Sequence, residues 1–231
     1  MIRNVKSLEG PPKKFYYTEK SDEGEIVEFE SADNSNDNKI SEQKLYQILS
    51  EFLKSEFSIY SKRIDERKSK NSKGKDGNKW LYPDLVGVED LSADWRQEIK
   101  DCASQYFDRK TKLWSFEVKI LINRSSLRKD FFQAVSNSTW ANFGYLVATE
   151  VQGYDTMKEL RMLSSLHGIG FIQLNHDDFA GSQIIIPAKE RNDIDWNNAN
   201  RLAEENTDFL EYIKLIKEFY QTGNIRPSDW S

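Results

Sequence analysis

The sequence is poor in the residues that many familiar sites require. Its 231 residues include one cysteine, Cys102, and two histidines, His167 and His176. A single cysteine cannot form a disulfide within the chain. The single cysteine also excludes cysteine-rich zinc sites, and the spacing of the two histidines does not fit the HExxH helix of zinc proteases. A hard divalent ion in this protein would therefore have to be held by oxygen atoms.

Long apolar runs are also lacking. The longest, residues 143–148 and 184–187, are far below the roughly 20 residues that a membrane helix needs. The first residues lack the apolar core of a secretory signal, which together with the scarcity of cysteine predicts a cytoplasmic protein without a membrane partner. The net charge of −5 argues against indiscriminate nucleic-acid binding but leaves local basic patches open.

The aromatic content is high enough to build a core. Thirteen Phe, ten Tyr and six Trp offer large apolar surfaces, so we expect a folded chain. Residues 1–40 show neither helical nor strand periodicity and contain Pro11-Pro12, which predicts a flexible N-terminal arm or linker. We expect residues 41–231 to form a single domain.

Within that domain, helical and strand patterns alternate. A helix is predicted over 41–54, and C-terminal helices are predicted from the apolar spacing between Leu202 and Tyr220. Between them the pattern predicts an α/β fold with a central mixed β-sheet flanked by helices. The predicted strands are 57–65, 79–89, 113–123, 144–150, 169–174 and an edge strand at 183–187; the predicted helices are 94–107, 126–140 and 156–167.

The strand predicted over 113–123 carries two charges on one face. Because side chains alternate in a strand, Glu117 and Lys119 project to the same side. The opposite side is apolar, formed by Trp114, Phe116, Val118, Ile120 and Ile122. An opposite-charge pair in the middle of such a strand favours a functional site, although a solvated ion pair is the plainer alternative.

A second carboxylate could reach this pair. Asp84 follows Pro83 inside an apolar segment, where a proline interrupts strand pairing and could bend Asp84 towards Glu117. Two carboxylates and a backbone carbonyl suit Mg²⁺, which usually shares its remaining positions with water and a substrate phosphate. Lys119 beside them would orient water or stabilise developing negative charge. The pattern therefore indicates phosphodiester hydrolysis.

The elements Pro83-Asp84 and Glu117-Val118-Lys119 resemble the signature of the PD-(D/E)xK nuclease superfamily. More narrowly, residues 41–223 resemble the bacterial HrgA-like group. The resemblance implies a restriction-endonuclease-like core of αβββαβ order and a Mg²⁺- or Mn²⁺-dependent DNA endonuclease related to restriction or defence. It implies that Asp84 and Glu117 are metal ligands, that Val118 offers its carbonyl, and that Lys119 is the catalytic lysine.

Many members of the superfamily also carry an acid on the first helix that assists the metal. Here Glu42 and Glu51 compete for that role. Glu42 shares a helix face with Leu45, Leu49 and Phe52, and it is therefore favoured.

Basic residues supply candidate contacts to double-stranded DNA. Lys70, Lys73 and Lys75 lie in a lysine-rich stretch that could track a phosphate backbone, although a solvated hairpin loop explains it equally well. A second candidate group is at the start of the helix after the Glu117 strand, where a helix N-terminus favours anions. This group comprises Arg124, Arg128, Lys129 and, one turn on, Gln133, for which a surface glutamine is the commoner explanation.

Two other functions stay open. The first is a catalytically inactive nucleic-acid-binding or assembly domain of the same fold, and the second is a protein-interaction module based on a Trp-rich surface and the C-terminal helices. The presence of Asp84, Glu117 and Lys119 together favours the enzyme. The C-terminal helical stripe is compatible with a homodimer, but packing against the sheet is the default expectation.

Overall fold

A computed structural model of the chain describes residues 5–7, 15–17, 42–70, 78, 80–106 and 110–230. Contacts divide the chain into two compact units, Met1–Lys39 and Ile40–Ser231. Most of the first unit, for which the sequence predicts a flexible arm, lies outside the described residues. Its described parts are two strands, β1 and β2, that pair antiparallel. The sequence analysis did not find them, because three-residue strands are too short to show periodicity. They are Val5–Ser7 and Phe15–Tyr17.

The second unit is built on a six-stranded mixed sheet. Its strands are β3 (Ile59–Arg63), β4 (Leu85–Asp90), β5 (Thr111–Ile122), β6 (Phe143–Val151), β7 (Gly170–Gln173) and β8 (Gln183–Ile186). They lie in sequence order across the sheet. The pairs β5–β6 and β6–β7 are parallel and the other pairs are antiparallel. The predicted α/β class with a mixed central sheet is therefore confirmed, and β8 is an edge strand as predicted.

Helices flank this sheet. They are α1 (Glu42–Phe57), α2 (Gln97–Gln105), α3 (Leu127–Asn137), α4 (Tyr154–His167), α5 (Trp196–Glu205) and α6 (Thr207–Thr222). In the described part of the chain, none of them combines the length and the apolar character that crossing a bilayer demands.

Each face of the sheet has its own apolar cluster. On one face, α1 packs Leu45, Leu49 and Phe52 against Phe116 and Val118 of β5. On the other face, α3 and α4 pack over β6 and β7. The C-terminal helices cover β4 and the start of β5 on that side through Leu202, Phe209, Tyr212 and Ile216. The default expectation that the C-terminal stripe packs against the sheet is therefore confirmed.

Two predicted details of the strands are wrong. The strand predicted over 79–89 begins only at Leu85, because residues 80–84 form a loop whose Tyr82 and Pro83 are buried without strand pairing. The alternation of buried and exposed side chains predicted for β5 also ends early. Ile120 is 41% exposed, and Ile122 packs in the apolar cluster formed with α3 and α4 instead of the cluster formed with α1. The pairing of β4 with β5 stops at Phe116, so the last residues of β5 extend past that neighbour.

Candidate active site at the centre of the sheet

Glu117 and Lys119 project from the middle of β5, the strand that lies between β4 and β6. Their side chains share one face, as the strand pattern predicts, and Lys119 Nζ lies 2.6 Å from Glu117 Oε1. Glu117 is almost completely buried, with 1% of its surface exposed. The side chain of Lys119 is 18% exposed. The lysine is therefore the part of this pair that solvent reaches.

Asp84 meets this strand where the ladder between β4 and β5 ends. The last pair is Leu85 with Phe116, and continuing that register would set Pro83 opposite Val118. A proline has no N–H to donate, so the ladder cannot continue. Instead, the Val118 N–H donates to Asp84 Oδ2 at 2.7 Å. The carboxylate of Asp84 thus binds the backbone between Glu117 and Lys119.

The orientation of Val118 follows from the same contacts. The carbonyl of Phe116 accepts a hydrogen bond from the Asp84 N–H at 3.1 Å. Residues two apart in a strand point their backbone groups to the same side. The Val118 carbonyl therefore points towards Asp84's side of β5, beyond the last residue of β4 that pairs with the strand.

The three charged groups are electrostatically coupled. Burial raises the pKa of the Glu117 carboxyl, and the negative charge of Asp84 raises it further, to about 8, against the opposing effect of Lys119. Burial lowers the pKa of Lys119, but the charges of Glu117 and Asp84 outweigh this effect and leave its pKa above the ordinary value. Lys119 is therefore cationic at neutral pH, whereas Glu117 needs a further positive charge nearby to be fully ionised.

Two uncharged side chains that the sequence analysis did not select complete the site. Tyr46 of α1 donates its hydroxyl to Asp84 Oδ1 at 3.4 Å. Asn137, the last residue of α3, donates to Glu117 Oε2 at 2.9 Å and is itself buried. The signal for Asn137 was available in the sequence, because Asp130, Gln133 and Asn137 recur at helical spacing and form a polar stripe. All three are buried on the face of α3 that packs against the sheet.

Gln133 lies in this buried stripe. Its exposed fraction is only 3%, so the alternative of a surface glutamine is wrong. Its neighbour in the stripe, Asp130, is close enough for its charge to raise the pKa of Lys119. Gln133 is thus enclosed between α3 and the sheet, a position that disfavours direct contact with a DNA base.

Of the two acids of α1 that compete to assist the metal, only Glu51 has a described side chain. Glu51 is exposed, and it borders a cavity of about 770 Å³ beside α1 that Tyr46 and Leu85 also line. Glu42 is the first residue of α1, one turn before Tyr46, but its side chain lies outside the described residues. The choice between the two acids therefore remains a prediction.

The basic residues that the sequence analysis selects as DNA contacts are only partly described. Lys73 and Lys75 lie outside the described residues. Lys70 is exposed and its N–H donates to the Glu205 carbonyl at 2.7 Å. At the start of α3, Arg128 Nε lies 2.6 Å from Glu159 Oε1, so its charge is partly compensated. Arg124 and Lys129 beside it are exposed, and phosphate contacts by any of these residues stay a prediction.

Oxygen atoms of Asp84, Glu117 and Val118 are the candidate ligands for a divalent ion in this part of the sheet. Asp84 and Glu117 supply two carboxylates, each with about four lone-pair directions, so their hydrogen bonds do not preclude coordination. The raised pKa of Glu117 means that an added cation would stabilise the ionised pair. Among the described side chains, no three acids, histidines or cysteines form a group that could hold a metal. The site would thus depend on two carboxylates, the Val118 carbonyl and water.

The chain matches no family model, no curated protein and no solved structure.

Proposed function

We propose that this protein is a Mg²⁺-dependent nuclease that hydrolyses phosphodiester bonds in DNA, with a restriction-endonuclease-like core. The observation that carries the proposal is the hydrogen bond from the Val118 N–H to Asp84 Oδ2, which brings Asp84 to the strand segment that bears Glu117 and Lys119. The order of elements α1, β3, β4, β5, α3 and β6, interrupted by α2 between β4 and β5, supports the αβββαβ core.

Each group has a chemical role in this proposal. Asp84, Glu117 and the Val118 carbonyl would hold the ion, with Mn²⁺ as a substitute for Mg²⁺. A divalent ion bound there would polarise the scissile phosphate and lower the pKa of a nearby water molecule. Lys119, cationic and partly exposed, would stabilise the negative charge that develops on the phosphate in the transition state. The partial burial of the site strengthens that interaction, because water screens it less.

A second candidate is an inactive nucleic-acid-binding domain of the same fold. The observation in its favour is the 2.6 Å contact between Lys119 and Glu117, which is also what a self-contained buried ion pair would show. In that case the pair would stabilise the sheet and would not need a metal ion.

Cleavage assays separate the two candidates. The protein is incubated with plasmid, linear duplex and single-stranded DNA in Mg²⁺ or Mn²⁺, beside the matched Glu117→Gln variant. The proposal predicts cleavage that requires the metal, stops in EDTA and is lost in the variant. DNA binding without cleavage under every metal condition would favour the second candidate. Cleavage that survives EDTA would contradict a metal nuclease.

A further inference from the structure

The buried amide of Asn137 joins the two chain segments that carry the acids. Its Nδ2 donates to Glu117 Oε2 at 2.9 Å and to the Tyr82 carbonyl at 2.8 Å. Glu117 belongs to β5, whereas Tyr82 stands two residues before Asp84 in the preceding loop. An amide nitrogen has two hydrogens, so one side chain can make both contacts at once.

The connection from Tyr82 to Asp84 is short and stiff. Only Pro83 lies between them, and its ring fixes its φ angle. At the other end of this short segment, Asp84 is held by its hydrogen bonds to the backbone of β5. A shift of the Tyr82 carbonyl would therefore move the Asp84 carboxylate with it.

Asn137 is itself well anchored. Its backbone carbonyl accepts a hydrogen bond from Ser115 Oγ at 3.2 Å and another from Trp140 Nε1 at 3.0 Å. Ser115 lies on β5, two residues before Glu117. The backbone of Asn137 is therefore held in place, while its side-chain amide connects β5 with the loop that carries Asp84.

We infer that Asn137 is a positioning residue that sets the separation of the Asp84 and Glu117 carboxylates and thereby makes the site selective for Mg²⁺ over Ca²⁺. The inference rests on the proposed function, because it takes these carboxylates as the ligands. Mg²⁺ demands near-ideal octahedral geometry at about 2.0–2.1 Å, whereas Ca²⁺ accepts flexible geometry at about 2.3–2.6 Å. Loosening the two acids therefore weakens Mg²⁺ binding more than Ca²⁺ binding.

The test is calorimetric titration of the metal-free protein with Mg²⁺ and with Ca²⁺, which needs no activity. We expect Asn137→Ala to weaken Mg²⁺ binding by about 10–100-fold, the usual effect of removing a hydrogen bond to a metal-binding carboxylate. Ca²⁺ binding should weaken by only a few fold. Asn137→Gln, which keeps the donating amide on a side chain one methylene longer, should fall between Asn137→Ala and the wild type.

Asn142 provides a matched control. It is another buried asparagine that bridges two segments, since its Oδ1 accepts from the Leu113 N–H and its Nδ2 donates to the Arg191 carbonyl. It contacts neither acid through these bonds. Asn142→Ala should lower the thermal midpoint by an amount similar to Asn137→Ala, while both metal affinities stay within about twofold of the wild type.

Four outcomes would overturn the inference. In three of them Asn137 would be a structural residue only. These are equal losses of Mg²⁺ and Ca²⁺ affinity in Asn137→Ala, no loss of either affinity in that variant, and the same loss in Asn142→Ala. Failure of both Asn137 variants to fold, while Asn142→Ala folds, would lead to the same conclusion. If the wild type binds neither ion, the proposed metal site itself is contradicted. This result differs from a failure of the inference about Asn137, because it is seen in the protein without any substitution.

Discussion

The Val118 N–H donates to the Asp84 carboxylate at 2.7 Å, so an acidic side chain takes the hydrogen bond that strand pairing would otherwise supply. The cause is local, because Pro83 stands where the ladder would continue and a proline cannot donate to it. The same interruption leaves Asp84 close enough to raise the pKa of Glu117. The Pro-Asp element thus lies just before the start of β4 and brings a carboxylate to the backbone of β5.

Asp84→Asn should separate folding from chemistry. The asparagine Oδ1 can still accept from the Val118 N–H, so we expect the thermal midpoint to change little. The lost charge should cost several kcal/mol of transition-state stabilisation, which is roughly a thousandfold in the rate of DNA cleavage. Single-turnover cleavage in Mg²⁺ and thermal melting measure the two effects.

The matched control for this substitution is Glu89→Gln. Glu89 is also a partly buried acid and accepts from Trp114 Nε1 at 3.2 Å, but it lies near the end of β4 that is remote from Asp84. We expect its variant to cleave DNA at nearly the wild-type rate. Equal losses in both variants would indicate that cleavage tracks the integrity of the sheet and does not depend on Asp84.

Lys119→Ala should retain most DNA affinity and lose turnover. A cation beside the reacting phosphate stabilises charge that develops only in the transition state, so its removal lowers kcat more than it raises KM. Lys112 on the same strand is the control, since it pairs with Glu190 at 3.1 Å. Lys112→Ala should leave kcat unchanged, and a Lys119→Ala variant that cuts as well as the wild type would remove the lysine from the mechanism.

The buried Glu117 should make stability depend on pH. Its pKa in the folded protein is raised from 4.5 to about 8, so the folded state holds this proton more tightly than the unfolded state does. The free energy of unfolding should therefore fall as the pH rises through the window from 4.5 to about 8, by an amount on the order of a few kcal/mol.

Chemical denaturation of the wild type and of Glu117→Gln at several pH values measures this effect. The difference in unfolding free energy between the two proteins should change with pH in that window, in favour of the glutamine variant at the upper end. A saturating divalent ion should flatten the change, because the ion stabilises the carboxylate. A difference that is constant from pH 5 to 8 would show that Glu117 titrates normally.

Strand periodicity made it predictable that Glu117 and Lys119 lie on the same face of β5, because a period of two fixes which side chains share a face. The same reasoning misplaced the start of β4. The segment from Trp80 to Asp84 is rich in apolar residues because Tyr82 and Leu81 pack against the C-terminal helices, and such burial does not require strand pairing.

Local patterns mark Asn137 as part of a polar stripe, but they do not show that Asn137 or Tyr46 contacts an acid. Tyr46 precedes Asp84 by 38 residues, and Asn137 follows Glu117 by 20, so only the tertiary fold brings them together. Tyr46 is spaced as one more position in the apolar stripe of α1, and its ring is buried there. Its hydroxyl nevertheless reaches the site, since a tyrosine can bury its ring and still present a polar tip.

The basic residues at the start of α3 should differ in their effect on DNA binding. Arg124 and Lys129 are exposed, whereas Arg128 is paired with Glu159. We expect the double variant Arg124→Ala, Lys129→Ala to weaken binding and to reduce the log–log salt slope by about 0.9 for each lost duplex contact. Arg128→Ala should have a smaller effect, as measured by binding titrations at several salt concentrations.

A comparison with the lysine-rich stretch identifies the DNA surface. Neutralising Lys70, Lys73 and Lys75 together should also weaken binding and flatten the salt dependence if this stretch tracks a phosphate backbone. An unchanged slope would leave it a solvated loop and would assign the DNA surface to the start of α3. Unchanged slopes in both sets of variants would contradict both assignments.

The central claim is that Asp84 and Glu117 hold one divalent ion, and a crystal soaked in Mn²⁺ tests it most directly. The anomalous scattering of manganese should give one strong peak within about 2.0–2.3 Å of a carboxylate oxygen from each acid and of the Val118 carbonyl. The peak should disappear in Asp84→Asn. An anomalous map without a peak between these two carboxylates, at a Mn²⁺ concentration that supports DNA cleavage, would contradict the claim.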